Sequence, residues 1–295
     1  MNYNEQLERI SQQLETGVKE VFTSEQYLKY LKTMAKFHTY SASNTLLIFM
    51  QRPDATLVAG YNAWKSKFHR CVKKGEKAIR IIAPIRRKKM YPIIMDGTTI
   101  EDEEPLTVGF RIVNVFDLSQ TYGDDIPFYM SDVLPGMVND YEHFIDALLL
   151  LSPVPVSFET IESHAKGYYR IQENDIVIEK SLSQVQTIKT LIHEMAHAHL
   201  HHDALEDSEQ SRYVREVQAE SIAYAVCSYY GIDTSEYSFP YIAGWSSSQS
   251  LEELKDSLDI IKSTSDYFIT TMNRVRTPIN HPTLNQEETT LYVDL

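Results

Sequence analysis

Apolar positions along the first 130 residues repeat with two different periods. Leu7, Ile10, Leu14, Val18 and Val21 step by three and four, which places one apolar stripe on a helix. Thr23 with Gln26 three residues on fits a capping box, and Tyr27, Leu31, Met34 and Ala35 continue the helical period behind it. Asn44 is placed to cap a short apolar helix, TLLIFMQ, that Pro53 stops, and GYNAWKSKF (60–68) predicts one more short helix. After Gly75 the period shortens. Segments 78–83 (AIRIIA), 90–95 (MYPIIM) and 107–116 (TVGFRIVNVF) are rich in Ile, Val and aromatics and predict strands. The acidic stretch DGTTIEDEEP between the last two reads as a solvated hairpin connection.

Pro127, Pro135 and Gly136 punctuate 124–136, so a boundary near residue 130 is expected, dividing the chain into 1–130 and 131–295. Beyond it a helix is predicted over 138–151, then short strands over 154–158, 167–172 and 175–179, with Glu173-Asn174 turning between the last two. Helices over 184–202, 209–230 and 251–272 follow, the second ended by Gly231. The last residues show no period and read as a loosely held tail. The fold class expected is α+β: an α+β first domain, then a mostly helical domain with a small β-sheet.

Among 295 residues, 43% are hydrophobic and 23% charged, and no apolar run is long enough for a membrane span. Cys71 and Cys227 stand far apart in no metal-type spacing, and the first residues lack a basic-then-apolar leader, so a reducing cytoplasm is expected. Net charge is −13, but it is unevenly spread. Residues 1–95 hold 17 Lys and Arg against 7 Asp and Glu, a balance of +10; the rest hold 11 against 34, a balance of −23. The two ends are separate electrostatic bodies, and the first can attract polyanions.

The strongest chemical signal is His193-Glu194-Met195-Ala196-His197 inside a helical segment. Four-residue spacing turns two imidazoles about 40° apart on one face, within reach of one ion. Zinc prefers such ligands, and Glu194 is placed to act as base toward its water. A third ligand is needed. His201 lies another four residues on, but three ligands at i, i+4 and i+8 of a straight helix span about 12 Å, so His199, His201 and His202 read as a polar helix end. Glu216, on the next helix beside Ala219, Ala223 and Cys227, is the better candidate, because small residues let two helices approach. Glu220, one turn deeper, would accept the other ring N–H of a liganding His. The alternative is an ordinary solvated Arg/Glu helix face.

Between Lys65 and Lys89 eleven basic residues face the single acid Glu76, a polyanion footprint. Lys65, Lys67, Arg70, Lys73, Lys74, Lys77 and Arg80 are the candidates for phosphate contacts, with the turn 73–77 offering amides and ammonium groups together. Tyr61 and Trp64 are candidates for base stacking, which suits single strands, although Trp64 and Phe68, four apart, fit a core face equally.

TLIHEMAHAHLHH followed by REVQAESIAY resembles the gluzincin-like metallopeptidase domains of the ImmA/IrrE type. That resemblance implies His193, His197 and Glu216 as zinc ligands, Glu194 as catalytic residue, and the strand NDIVIEK as the edge along which a peptide lies extended. SNTLLIFMQ, GYNAWKSKFHRCVKKGEKAIRIIAPI and VFDLSQTYGDDIP are similar to the amino-terminal domain of ArdC-type antirestriction proteins. This second resemblance adds Asn44 to the candidate DNA-binding residues. Together they imply a cytoplasmic single-stranded-DNA-binding protein of a bacterial mobile element, carried by conjugation, with a Zn2+ peptidase domain. Two rival functions remain open: a regulatory metalloprotease cleaving a repressor, and a DNA-binding protein whose zinc site is non-catalytic.

Overall fold

The computed structural model describes residues 3–95, 98–126, 141–163, 165–202, 209–232 and 242–276. The expected boundary near 130 and the expected tail lie outside them. Helices α1 (Tyr3–Val21), α2 (Ser24–Lys36) and α3 (Ala42–Gln51) come first. Thr23 is the N-cap of α2, but its side chain caps nothing; only its carbonyl is used, by the Tyr27 N–H at 2.8 Å. At α3 the cap is Ser41, whose hydroxyl accepts from the Asn44 N–H at 3.2 Å, so Asn44 sits inside the first turn and not at the cap.

Strand β1 (Val58–Gly60), helix α4 (Tyr61–Ser66) and strand β2 (Arg70–Val72) lead into a long hairpin of β3 (Ile79–Met95) and β4 (Thr98–Asp117). The acidic stretch is therefore strand and not connection: Lys89 lies opposite Glu104 and Met90 opposite Glu103 across the ladder, while the register shifts between Ile85 and Arg86. β1 adds to the other side of β4, and β5 (Thr121–Gly123) pairs with β2. Asp117 starts the 3-10 turn between β4 and β5, accepting from the backbone N–H of Thr56, Leu57 and Ser119 at 2.7, 3.2 and 2.8 Å.

After α5 (Tyr141–Leu151) come β6 (Val156–Glu159), β7 (Gly167–Arg170) and β8 (Asp175–Glu179), in the order β6-β8-β7. β8 is the central strand, parallel to β6 and antiparallel to β7, so NDIVIEK is no edge. Its Ile176, Val177 and Ile178 are wholly buried, as a strand covered on both faces requires. Helices α6 (Gln184–Leu200), α7 (Glu209–Tyr229), α8 (Ile242–Ser247) and α9 (Leu251–Arg276) complete the described chain, and Gly231, at φ 65°, closes α7.

Two apolar clusters hold these elements. One joins Ile10, Phe37, Leu47 and Ile48 to Ile79, Ile81 and Val115, seating the base of the hairpin. The other runs from Val18, Phe22, Tyr27 and Leu31 into α5, α6, α7, α8 and α9. Phe22 stacks on Tyr27 and meets Trp245 edge-on, and the Tyr27 hydroxyl lies 2.8 Å from Ser221 Oγ on α7. The first helices thus belong to the same core as the last ones. No helix among the described residues is long and apolar enough to cross a membrane.

Candidate functional site

Ser183 caps α6, its hydroxyl accepting from the Gln186 N–H, and Ile188, Leu191, Ile192, Met195 and Ala196 bury the inner face. This fixes the helix, and with it the two imidazoles: the His193 and His197 Nε2 atoms lie 3.1 Å apart. Helix α7 packs against α6, with Ala219, Ala223 and Cys227 all wholly buried. Glu216 reaches across so that Oε2 is 3.5 Å from His193 Nε2 and Oε1 is 3.6 Å from His197 Nε2. A tetrahedral ion with ligands at zinc distances requires donors roughly 3.3 Å apart. The His193–His197 spacing is close to that edge length, and each imidazole has a different Glu216 oxygen near it, Oε2 beside His193 and Oε1 beside His197. The donor atoms of His193, His197 and Glu216 form a compact group, all within 4.8 Å of one another, and the half-exposed Glu216 leaves its mouth open to solvent.

Electrostatics point the same way. Burial pushes His193 down, but the carboxylates of Glu216 and Glu220 outweigh it and raise its pKa to about 10. Hydrogen bonds from both imidazoles hold Glu216 far below the usual carboxylate range, against burial. His193 and Glu216 are thus drawn together as a cation and an anion. Glu220 Oε2 stands 3.1 Å from His193 Nδ1, close but off the ring's best hydrogen-bond direction. Glu194 is buried, which pushes its carboxyl up, and accepts from the Tyr169 backbone N–H on β7.

His201 departs from the expectation of a polar helix end. It is the C-cap residue of α6, and burial pushes it down to about 4, so it carries no charge to meet the helix dipole. Its ring folds back instead, with Nδ1 3.0 Å from His197 Nδ1 and Nε2 3.1 Å from Gln218 Oε1. His199 stacks on Tyr267.

The candidate DNA-binding residues separate into two groups. Trp64 is wholly buried, packs on Phe68 and donates its ring N–H to the Phe116 carbonyl at 2.8 Å, so it is core and offers no face to a base. Asn44 is buried too: its amide nitrogen donates to the Ile82 carbonyl and its oxygen accepts from the Ile82 N–H, bracketing α3 to β3. Arg70 is tied to the Thr121 hydroxyl and the carbonyls of Gly123 and Asp124, and Lys73 donates to the Ser119 carbonyl. Tyr61, Lys65, Lys67, Lys74, Lys77 and Arg80 are exposed. Lys77 and Arg80 line a cleft of about 530 Å³ with Arg9, Gln13, Gln51 and Asn114, while Phe110 and Tyr122 stand out on the surface at 57% and 60% exposure. Neither the cleft nor these rings carry a local sequence signal, because both arise only when α1 meets the hairpin and β2 meets β5.

Residues 1–116 match the family model of the N-terminal domain of anti-restriction factor ArdC, and residues 152–230 match that of the IrrE N-terminal-like domain. The first part of the chain is thus similar to the ArdC N-terminal domain and the second part to the IrrE-like domain. The basic cleft lies inside the first match, and His193, Glu194, His197 and Glu216 lie inside the second. An uncharacterized protein of Bacillus anthracis is 28% identical over 311 residues, which take in 92% of this chain and 52% of the relative, so the chain spans about half the relative's length. Crystal structures of the antirestriction ArdC protein from the R388 plasmid, metal-free and Mn(II)-bound, are each 17% identical over 80% of this chain. They cover 85% and 84% of that protein, with TM-scores of 0.47 and 0.48.

Proposed function

We propose that this ArdC-like protein acts in antirestriction, binding single-stranded DNA through its first 130 residues and carrying a zinc peptidase site in residues 131–295. The observation that supports the metal reading best is the pairing of His193 and His197, Nε2 atoms 3.1 Å apart, with the Glu216 carboxylate facing both at 3.5 and 3.6 Å. A zinc ion held there supplies a polarised water of near-neutral pKa. Glu194 takes a proton on its buried carboxylate and returns it to the leaving amine, the raised pKa making it a better base than an ordinary carboxylate. β7 is an outer strand of its sheet, and its Tyr169 amide already meets Glu194, so an extended peptide adds along β7. Phosphates lie along Arg9, Lys74, Lys77 and Arg80, and exposed rings such as Tyr61 stack on bases.

The test is Glu194→Gln. That variant is expected to keep its metal and its DNA affinity while losing peptide hydrolysis. Hydrolysis at the wild-type rate would overturn the assignment of Glu194. A wild-type protein that binds zinc and DNA but cleaves no peptide under any condition would leave a metal site without peptidase chemistry.

A further inference from the structure

We propose that His201 and Gln218 form a hydrogen-bonded relay that positions His197 for metal binding. The inference rests on the ligand set proposed above and extends it to two residues outside that set. His197 presents Nε2 to Glu216 and to His193, which leaves Nδ1 as its outer nitrogen. Nδ1 lies 3.0 Å from Nδ1 of His201, on the far side of the ring from the donor group. The other His201 nitrogen, Nε2, lies 3.1 Å from Gln218 Oε1, and Gln218 is buried on α7 between Glu216 and Glu220.

The protons on this chain are over-determined. An amide oxygen only accepts, so His201 Nε2 must carry hydrogen and donate to Gln218. In a neutral ring the remaining His201 nitrogen, Nδ1, is then an acceptor, and His197 Nδ1 must donate to it. That fixes the retained proton of His197 on Nδ1, so Nε2, which faces Glu216 and His193, is the nitrogen left to give up its proton and bind a metal. His193 is placed differently, with the carboxylate of Glu220 3.1 Å from its Nδ1. One imidazole is therefore backed by an anion and the other by a neutral relay. Because Gln218 lies on the helix that carries Glu216, the relay also ties the end of α6 to α7 beside the site.

The experiment measures zinc affinity by competition with a chromophoric chelator, and the visible spectrum of the Co(II)-loaded protein, in the full chain. His201→Leu removes the acceptor for His197; His201→Asn keeps an acceptor near the same place; Gln218→Met keeps shape and removes the distal partner. Outer partners of ligating histidines typically set affinity by ~10- to 100-fold. His201→Leu is expected to weaken zinc by that factor and change the Co(II) spectrum, His201→Asn to recover most of the loss, and Gln218→Met to fall between. A fold defect common to His201→Leu and His201→Asn, read by apo-protein circular dichroism, passes the decision to Gln218→Met. Wild-type affinity in Gln218→Met and His201→Leu, or equal losses in His201→Leu and His201→Asn, would overturn the relay. Glu216→Ala separates the two readings. If it binds zinc like wild type, the ligand set itself is wrong; if it fails while the relay variants bind normally, only the relay is.

Discussion

Asp117 shows how one buried carboxylate organises the corner between β4 and β5. It satisfies the backbone N–H groups of Thr56, Leu57 and Ser119 and the Ser119 hydroxyl, and these bonds outweigh burial and hold its pKa below the usual value. Asp117→Ala strands those donors and is expected to cost on the order of 3 kcal/mol, measured by denaturant unfolding at pH 7. The pH dependence has a definite sign. A depressed folded pKa contributes stability that is full above the unfolded value of about 3.9 and is lost as pH falls through the folded pKa. The gap between wild type and Asp117→Asn should therefore narrow only in that acid range, and a gap that stays constant down to pH 2 would contradict it. Single residues also mark what sequence pattern can reveal. The His193–His197 pair was legible because helical period alone fixes it. Trp64 was not, since an aromatic on a short helix suits core and stacking equally, and its indole N–H partner, Phe116, is 52 positions away. His201 escaped because its spacing set it aside as a ligand and nothing local says that its ring turns back onto His197.

At the scale of elements, the site depends on how closely α6 lies to β7. A Cβ at Gly167 would stand 2.8 Å from Thr190 Cγ2 on α6 and 3.0 Å from the Val177 carbonyl, so only glycine fits there. Gly167→Val should push β7 from α6 and destabilise the fold by about 1–3 kcal/mol. Because the Tyr169 amide that meets Glu194 sits two residues on, hydrolysis should fall more than zinc affinity. A variant of wild-type stability and activity would show the contact to be slack. The small residues of α7 made its approach to α6 readable in advance. The place of β8 was not readable. Its burial between β6 and β7 comes from a parallel pairing that joins residues about twenty positions apart. The far half of the hairpin was not readable for a related reason: acidic residues look solvated one by one, and only the ladder with β3 places them in a strand.

In the whole molecule, division of labour and division of core differ. Val18, Phe22, Tyr27, Tyr30 and Leu31 precede the expected boundary yet pack with α5 to α9. A fragment of residues 1–130 exposes that face and is expected to self-associate in sizing chromatography, whereas the full chain should unfold in a single thermal transition. A monomeric, cooperatively folded fragment would contradict the shared core. Helices of the segment carrying +10 thus share a core with helices of the one carrying −23, and under the proposed function DNA would approach the first while screened from the second over about 8 Å at physiological salt. Log affinity for single strands should fall linearly with log salt, and replacing Lys74, Lys77 and Arg80 together by Gln should flatten that slope. An unchanged slope would move the DNA path away from this cleft.

The central claim is the ligand set, and the most direct test is zinc content after dialysis in three proteins: wild type, Glu216→Ala and Glu220→Ala. One ion per wild-type chain is expected, near-complete loss in Glu216→Ala, and retained stoichiometry with affinity weakened ~10- to 100-fold in Glu220→Ala. Full occupancy in Glu216→Ala alongside loss in Glu220→Ala would contradict the account.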